Sequence, residues 1–399
     1  MLSRRVSLRI VVITAAGLAC NNSTQPVILV PGAVSLAPSD TSIPQFGNAA
    51  LRVSVLDTAG HAIPLRPEFT WSDSTLVSVS AEGVVRSLGP RGTATITASL
   101  GVLSAHVAVL VFDSSLAYRT SLGGRPYGAA IWSAGVAYVT QLDLALASRV
   151  NLPSKSFDAS VSVGNVPTEI TFNTAGTRAY VTNQFDAAVG VVDVATNTEI
   201  DLIPVMGDPF EVIVAPGDSI LYVSTNVDSV YGIRLATKAT VVAFGVPNVA
   251  NGFALRDTLL YASTRLGGTV VEFNLRTRTV SRTLAVGGEP QKLALSSNGT
   301  QLYIASESGY VQFWDLTTGA QIGSNLVLPL GRGYGIALNP ANGMLYASSL
   351  SGGVYVIDPT SRTIVRQILV GGIARRVVFN TSGSVGLVPN ESGWVDFLK

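Results

Sequence analysis

Hydrophobic and polar residues alternate with a period of two in short runs along most of the chain, the pattern of half-buried β-strands. In the first third the runs are Ala50 to Leu56, Val77 to Val79, Gly83 to Ser87, Thr93 to Ser99 and Ala105 to Phe112. Turn signals separate them at Ala59-Gly60, Glu82-Gly83 and Gly89-Pro90-Arg91-Gly92. Short strands at this spacing predict a β-sandwich over residues 27–112, with Trp71 as the plug of its core.

From residue 115 the pattern repeats. Apolar strands centred on Tyr138, Tyr180, Tyr222, Tyr261, Tyr303 and Tyr346, and on Gly386 in a degenerate last copy, follow at spacings of 42, 42, 39, 42, 43 and 40. Seven units of this length, each with four short strands and no helical period, describe a seven-bladed β-propeller over 115–399, because a four-stranded blade buries both faces only by stacking on its neighbours. The last unit stops after its third strand at Val395–Lys399, and a strand-like segment without a unit of its own, 115–122, precedes the first. The repeat therefore predicts that 115–122 pairs with the C-terminal strands and closes the ring, removing two open edges. The fold class read from the pattern is all-β, a sandwich followed by a propeller.

Composition agrees with strands and turns. Charged residues are 13% of the chain and hydrophobic ones 47%, with 39 Gly and 19 Pro, which excludes helical bundles, coiled coils and charged disordered chains. Residues 1–19 read as a signal peptide: Arg4, Arg5 and Arg9 without an acid, then the apolar run Ile10 to Ala19, too short to span a bilayer. Cys20, the sole cysteine, opens a polar tether over 20–26 and has no partner for a disulfide. Without residues 1–19 the chain has 23 basic and 25 acidic residues, a net charge of −2. No basic stripe remains to neutralise phosphates, which argues against nucleic acid as a partner.

Three segments resemble known families. Gly17-Leu18-Ala19-Cys20 resembles the lipobox of bacterial lipoproteins, with Gly17 where Leu is usual. That resemblance implies export, a membrane anchor on an acylated Cys20 and, with Asn21 following, outer-membrane sorting; ordinary cleavage after Ala19, leaving a periplasmic or cell-surface protein, is the alternative. Ser3-Arg4-Arg5 also resembles a twin-arginine export signal. The stretch FTWSDSTLVSVSAEGVVRSLGPRGTATITAS resembles the bacterial Ig-like group 2 domain, which implies a spacer or adhesive module. GTRAYVTNQFDAAVGVVDVATNTEI resembles the YVTN-type propeller repeat. Its Gly-x-x-Pro loops stand at Val163–Pro167 and Val286–Pro290, with the shorter Gly-x-Pro at Met206–Pro209, and Asp193, Asp315, Asp358 and Asp396 end third strands, where Asp caps a turn by accepting backbone N–H groups.

By analogy with other propellers the site lies at one mouth of the channel. The residue two places past each loop proline, where the innermost strand begins, is in turn Gly128, Glu169, Glu211, Gly252, Lys292, Gly335 and Arg376; one place earlier stand Tyr127, Thr168, Phe210, Asn251, Gln291, Tyr334 and Arg375. Glu169, Glu211, Lys292, Arg376, Tyr127, Phe210, Tyr334 and Arg375 are the candidate ligand-binding residues, the aromatics offering faces to a sugar or peptide. The plain alternative is that the charges solvate the rim. Turns between second and third strands add Asn183, Gln184, Asp186, Asn226, Asp228, Arg265 and Glu307. His61 and His106 are the only histidines, both before residue 115 and neither with a third ligand nearby, so a triad, an imidazole base and a thiol nucleophile are absent from the repeats. No cofactor is expected, a Ca²⁺ site of oxygen ligands staying open. The function expected is a cell-envelope binding or scaffold protein that recognises a protein or carbohydrate. The alternative is an envelope hydrolase or lactonase working through the Glu169/Glu211 carboxylates.

Overall fold

In a computed structural model the chain is described over residues 29–38, 40–45, 47–88, 92–112, 116–132 and 135–399. The expected signal peptide over 1–19 and the tether over 20–26, with Cys20, lie outside the described residues. The rest is all-β, relieved only by one short 3₁₀ turn at Gln184–Asp186. Among the described residues no helix is long and apolar enough to cross a membrane. The chain divides into two compact units between Ser114 and Ser115.

The first unit carries three small sheets. Asp40–Pro44, Leu103–Phe112, Gly92–Leu100 and Glu68–Trp71 form a four-stranded one, Asn48–Ala50, Val84–Ser87 and Val77–Val79 a second, and Pro31–Ala37 pairs with Arg52–Asp57. Alternation supplies their common core: Val77, Val85, Ala94, Ile96 and Val109 are fully buried. Trp71 departs from the expectation. It sits on an edge strand, half-buried against this core, because small aliphatic residues from the three sheets already fill the centre.

In the second unit the described strands form seven sheets. The first has the order Pro126–Ile131, Ala137–Gln141, Leu146–Asn151, Ser156–Ser162, all antiparallel, and sheets two to six follow the same order over 167–204, 209–245, 250–285, 290–327 and 333–369. The outermost strand of sheet five is broken into Ala320–Gln321 and Leu326–Val327. The seventh sheet is composite: Val378–Phe379, Gly386–Asn390 and Trp394–Leu398 from the C-terminus, then Leu116–Ser121 from the start of the unit, pairing antiparallel with Trp394–Leu398. First strands pack on one another in sequence, and that of sheet one packs on Val378–Phe379. The arrangement fits a propeller. The repeat tyrosines Tyr138, Tyr180, Tyr222, Tyr261, Tyr303 and Tyr346 are buried between sheets.

Asp193, Asp315 and Asp358 cap turns by accepting backbone N–H bonds from Thr196 (2.9 Å), Thr317 (2.7 Å) and Thr360 (2.8 Å), which holds their carboxyls below the usual range. Asp396 is different from its counterparts. It is buried and accepts Arg119 Nε at 2.6 Å, Arg119 Nη2 at 3.0 Å and Trp394 Nε1 at 3.1 Å. In place of a turn cap it is an ion-pair partner for the added strand.

Candidate functional site

Five of the six complete sheets begin with the same irregularity, and sheet four has a shorter slip between Ala250 and Gly252. Pairing of first and second strands slips between Pro126 and Ala129, Pro167 and Ile170, Pro209 and Val212, Pro290 and Leu293, and Gly333 and Ile336. A bulge leaves residues unpaired and re-aims their side chains. The residues freed are Tyr127-Gly128, Thr168-Glu169, Phe210-Glu211, Gln291-Lys292 and Tyr334-Gly335, which is how a strand start becomes a site wall.

In sheets one, two, three and six a hydroxyl from the second strand secures the start of the first strand and ties it to the next sheet, while sheet five has Ala305 at that place. Gly128 N donates to Thr140 Oγ1 at 2.8 Å, and Thr140 Oγ1 donates to Thr168 O at 2.8 Å. Glu169 N on Thr182 (2.8 Å), Glu211 N on Ser224 (3.0 Å) and Gly335 N on Ser348 (2.8 Å) repeat the arrangement, and Ser224 Oγ reaches Ala250 O at 2.6 Å. This is the role of the small polar residue two places after Tyr138, Tyr180, Tyr222 and Tyr346. The repetition is visible in the sequence, but its purpose needs the bulge to be seen.

The bulges converge. Lys292 Nζ of sheet five lies 2.5 Å from Glu169 Oε1 of sheet two and also donates to Glu211 of sheet three and, at 2.8 Å, to Asn251 O of sheet four. Arg376, just before the first strand of sheet seven, stands 3.7 Å from Glu169 Oε2 and 3.5 Å from Glu211 Oε1. Tyr127 and Tyr334 of sheets one and six join hydroxyls at 2.7 Å, and Lys292 lies 5.7 Å from the Tyr334 ring centroid. Two anions and two cations make the group neutral. Glycine completes it: a Cβ on Gly128 would fall 2.2 Å from Thr168 O and one on Gly335 2.4 Å from Arg375 O, so neighbouring backbone occupies the space where side chains would point.

The structure places Glu169, Glu211 and Lys292 at 2–3% exposure, so these charges do not solvate a rim. Burial pushes Glu211 above the usual carboxylate range, against the pull of Lys292 and Arg376, and it pushes the Tyr334 and Tyr127 hydroxyls well up. Burial also opposes the charge on Arg376, yet Glu169 and Glu211 beside it leave its pKa raised. Neither Glu169 oxygen accepts an aligned hydrogen bond, so this carboxylate is held by charge alone. Tyr127, Thr168, Glu169, Phe210, Asn251, Lys292 and Tyr334 enclose a cavity of about 10 Å³, room for a single water.

Arg375 lies outside the ion group. Its guanidinium stands 4.8 Å from the Tyr127 ring centroid and 4.5 Å from that of Tyr334, and it pairs with Glu391, which Arg125 Nε also meets at 3.0 Å. Phe210 is half-buried at the cavity wall. Of the turn residues, Asn183 is fully buried, unlike the exposed residue expected, because it closes the second strand. Arg265 and Glu307 are paired at 2.9 Å. A separate cavity of about 380 Å³ lies between Ser296–Gln301 and Pro359–Arg362 and shares no residue with this site. Among the described residues no group of three or more His, Cys, Asp or Glu side chains is placed to hold a metal ion.

No family model matches the chain, and no curated protein matches it. Among solved structures it is similar to the hydrazine synthase of Kuenenia stuttgartiensis, at TM-score 0.62 and 16% identity, over 72% of this chain and 98% of that one. At that identity the likeness is one of fold, and it agrees with the β-propeller reading of the sheets.

Proposed function

We infer that the chain is an exported binding or scaffold protein of the cell envelope. In this reading an acylated Cys20 anchors it to the outer membrane, residues 27–112 form a bacterial Ig-like spacer, and 115–399 form a seven-bladed YVTN-type propeller closed by 115–122. Its ligand is a protein or a carbohydrate. The single observation that carries the reading is the filled centre: four charges from sheets two, three, five and seven neutralise one another around space for one water. Ligand pockets are typically about 300–1,000 Å³, some thirtyfold larger. The hydrolase alternative draws on Glu211, whose carboxyl is held by burial above the usual carboxylate range. Against it, Lys292 stands between the carboxylates, so they do not share a proton as a catalytic dyad does.

Two assays on the full chain test this. Cys20→Ser should move the protein from the membrane fraction to the soluble one. A thermal-shift panel of glycan oligosaccharides, peptides and lactones, with lactone and glycoside hydrolysis followed in parallel, should give stabilisation by a peptide or glycan and no turnover. Turnover of a lactone that disappears in Glu211→Gln would replace the binding reading with the enzymatic one.

A further inference from the structure

The connections into the first strands and the turns between second and third strands lie on one face, joined by backbone hydrogen bonds such as Gln184 N to Val166 O (3.1 Å), Asn226 N to Asp208 O (3.0 Å) and Glu307 N to Glu289 O (2.9 Å). The two halves of this face differ in chemistry. Toward sheets five to seven, charges satisfy each other: Glu307 pairs with Arg332 at 2.6 Å and with Arg265 of the sheet-four turn at 2.9 Å, while Glu391 takes Arg375 and Arg125, the latter from the connection into sheet one. The turn tips there are Ser308, Ser351 and Ser392. Over sheets two to four the tips are Phe185, Val227 and Leu266, exposed by 68%, 45% and 68%; in sheet one the tip is Asp143, paired with Arg125 at 3.6 Å, and Leu144 beside it is 48% exposed, while Met206 in the connection from sheet two to sheet three is 67% exposed. Between them stand Asp186, Asp208 and Asp228; Asp186 accepts Asn165 N (2.6 Å) and Nδ2 (2.7 Å) and Asp208 accepts Asn226 Nδ2 (2.8 Å), and none of the three meets a Lys or Arg among the described residues.

We propose that this crescent is a docking surface for a segment of a partner protein in which apolar side chains are flanked by Lys or Arg. The proposal rests on the binding-protein reading and names the partner class. The equivalent turns of four consecutive sheets each present a large exposed apolar side chain, and apolar surface rimmed by polar groups marks protein contacts. The three carboxylates select the sign of the partner: they attract cationic flanks and repel an anionic lipid surface. Most of the tips are aliphatic, which suits side-chain packing better than the stacking of a sugar ring. Apolar residues exposed elsewhere on the unit, such as Ile200 and Val365, sit on outermost strands of separate sheets and serve as controls.

The test measures fluorescence anisotropy of three short labelled peptides with the full chain: one of Leu and Lys, one of Leu and Glu, and one of Ser and Lys. The Leu/Lys peptide should bind at least about tenfold more tightly than either other. Phe185→Ser/Leu266→Ser should weaken it by about tenfold or more, Asp186→Asn/Asp228→Asn should weaken it and flatten its salt dependence, and Ile200→Ser/Val365→Ser should leave it unchanged. Equal binding of the Leu/Glu peptide, no saturable binding by any peptide, or binding undiminished in Phe185→Ser/Leu266→Ser would overturn the proposal. So would a dimer, seen by sedimentation, that dissociates in that variant, since it assigns the crescent to a second copy. A glycan that stabilises the parent and the Phe185→Ser/Leu266→Ser variant equally would overturn the crescent while leaving the binding-protein reading intact; lactone turnover would remove that reading itself.

Discussion

Lys292 Nζ lies 2.5 Å from Glu169 Oε1 and within reach of Glu211 as well, so one ammonium from the fifth sheet holds the second and third. Arg376 stands farther off, at 3.5 and 3.7 Å, and its side chain is 21% exposed. Water therefore replaces part of what Arg376 supplies. Arg376→Leu should lower unfolding stability by about 1–2 kcal/mol in urea titrations, less than any substitution that removes Lys292.

The raised Glu211 makes stability depend on pH. The folded state binds this proton more tightly than the unfolded chain, whose value is near 4.5. The group's contribution is fully present below that value and is lost as pH rises through the raised one. Gln at this position stays neutral throughout. The unfolding free energy of the parent minus that of Glu211→Gln should therefore fall as pH rises above about 4.5; a difference that rises instead would mean that Glu211 is stabilised as the anion.

Arg119 and Asp396 fasten the ends of the second unit. The pair is bidentate, Asp396 is fully buried, and Arg119 also stacks 4.4 Å from the Trp394 ring centroid. Arg119→Ala leaves a buried carboxylate without its cation and should cost about 3–5 kcal/mol. Arg119→Lys should recover only part, since a point charge cannot make both bonds. Asp396→Asn/Arg119→Met, which removes both charges, should lie closer to the parent than either single change.

The hydroxyl bridges between sheets give a gain as well as a loss. Thr182 Oγ1 receives Glu169 N at 2.8 Å and is fully buried, so Thr182→Val should cost about 1–3 kcal/mol through an unsatisfied amide. Sheet five has Ala305 at the corresponding place. Ala305→Ser should add about 0.5–1.5 kcal/mol by supplying the missing bridge, read as a raised urea midpoint at unchanged slope.

Much of this architecture is legible along the chain, because strand alternation, Gly-x-x-Pro loops and a period near 41 are local signals. The strand over 116–121 could be placed by counting strands per repeat. The eight candidate residues were found by register, and the structure brings Glu169, Glu211, Lys292 and Arg376 together while keeping Arg375 and Phe210 at the edge. Register could not tell that the ring is a buried plug. That depends on the bulge at each first strand and on the backbone approach at Gly128 and Gly335, neither of which leaves a mark in hydropathy. Asp396 departs from the expectation for a related reason: repeat equivalence assigns it the turn-capping role of Asp193 and Asp358, but the neighbour of its strand comes from the other end of the unit.

The most direct test of the filled centre is a urea unfolding comparison of Lys292→Met with Glu169→Gln/Glu211→Gln/Lys292→Met. If the cluster holds the sheets together, Lys292→Met strands two buried carboxylates and should cost about 3–5 kcal/mol, and the triple variant should recover most of that loss. A functional centre strained for chemistry behaves in the opposite way, gaining stability when its charged groups are replaced. A Lys292→Met protein more stable than the parent would contradict the account.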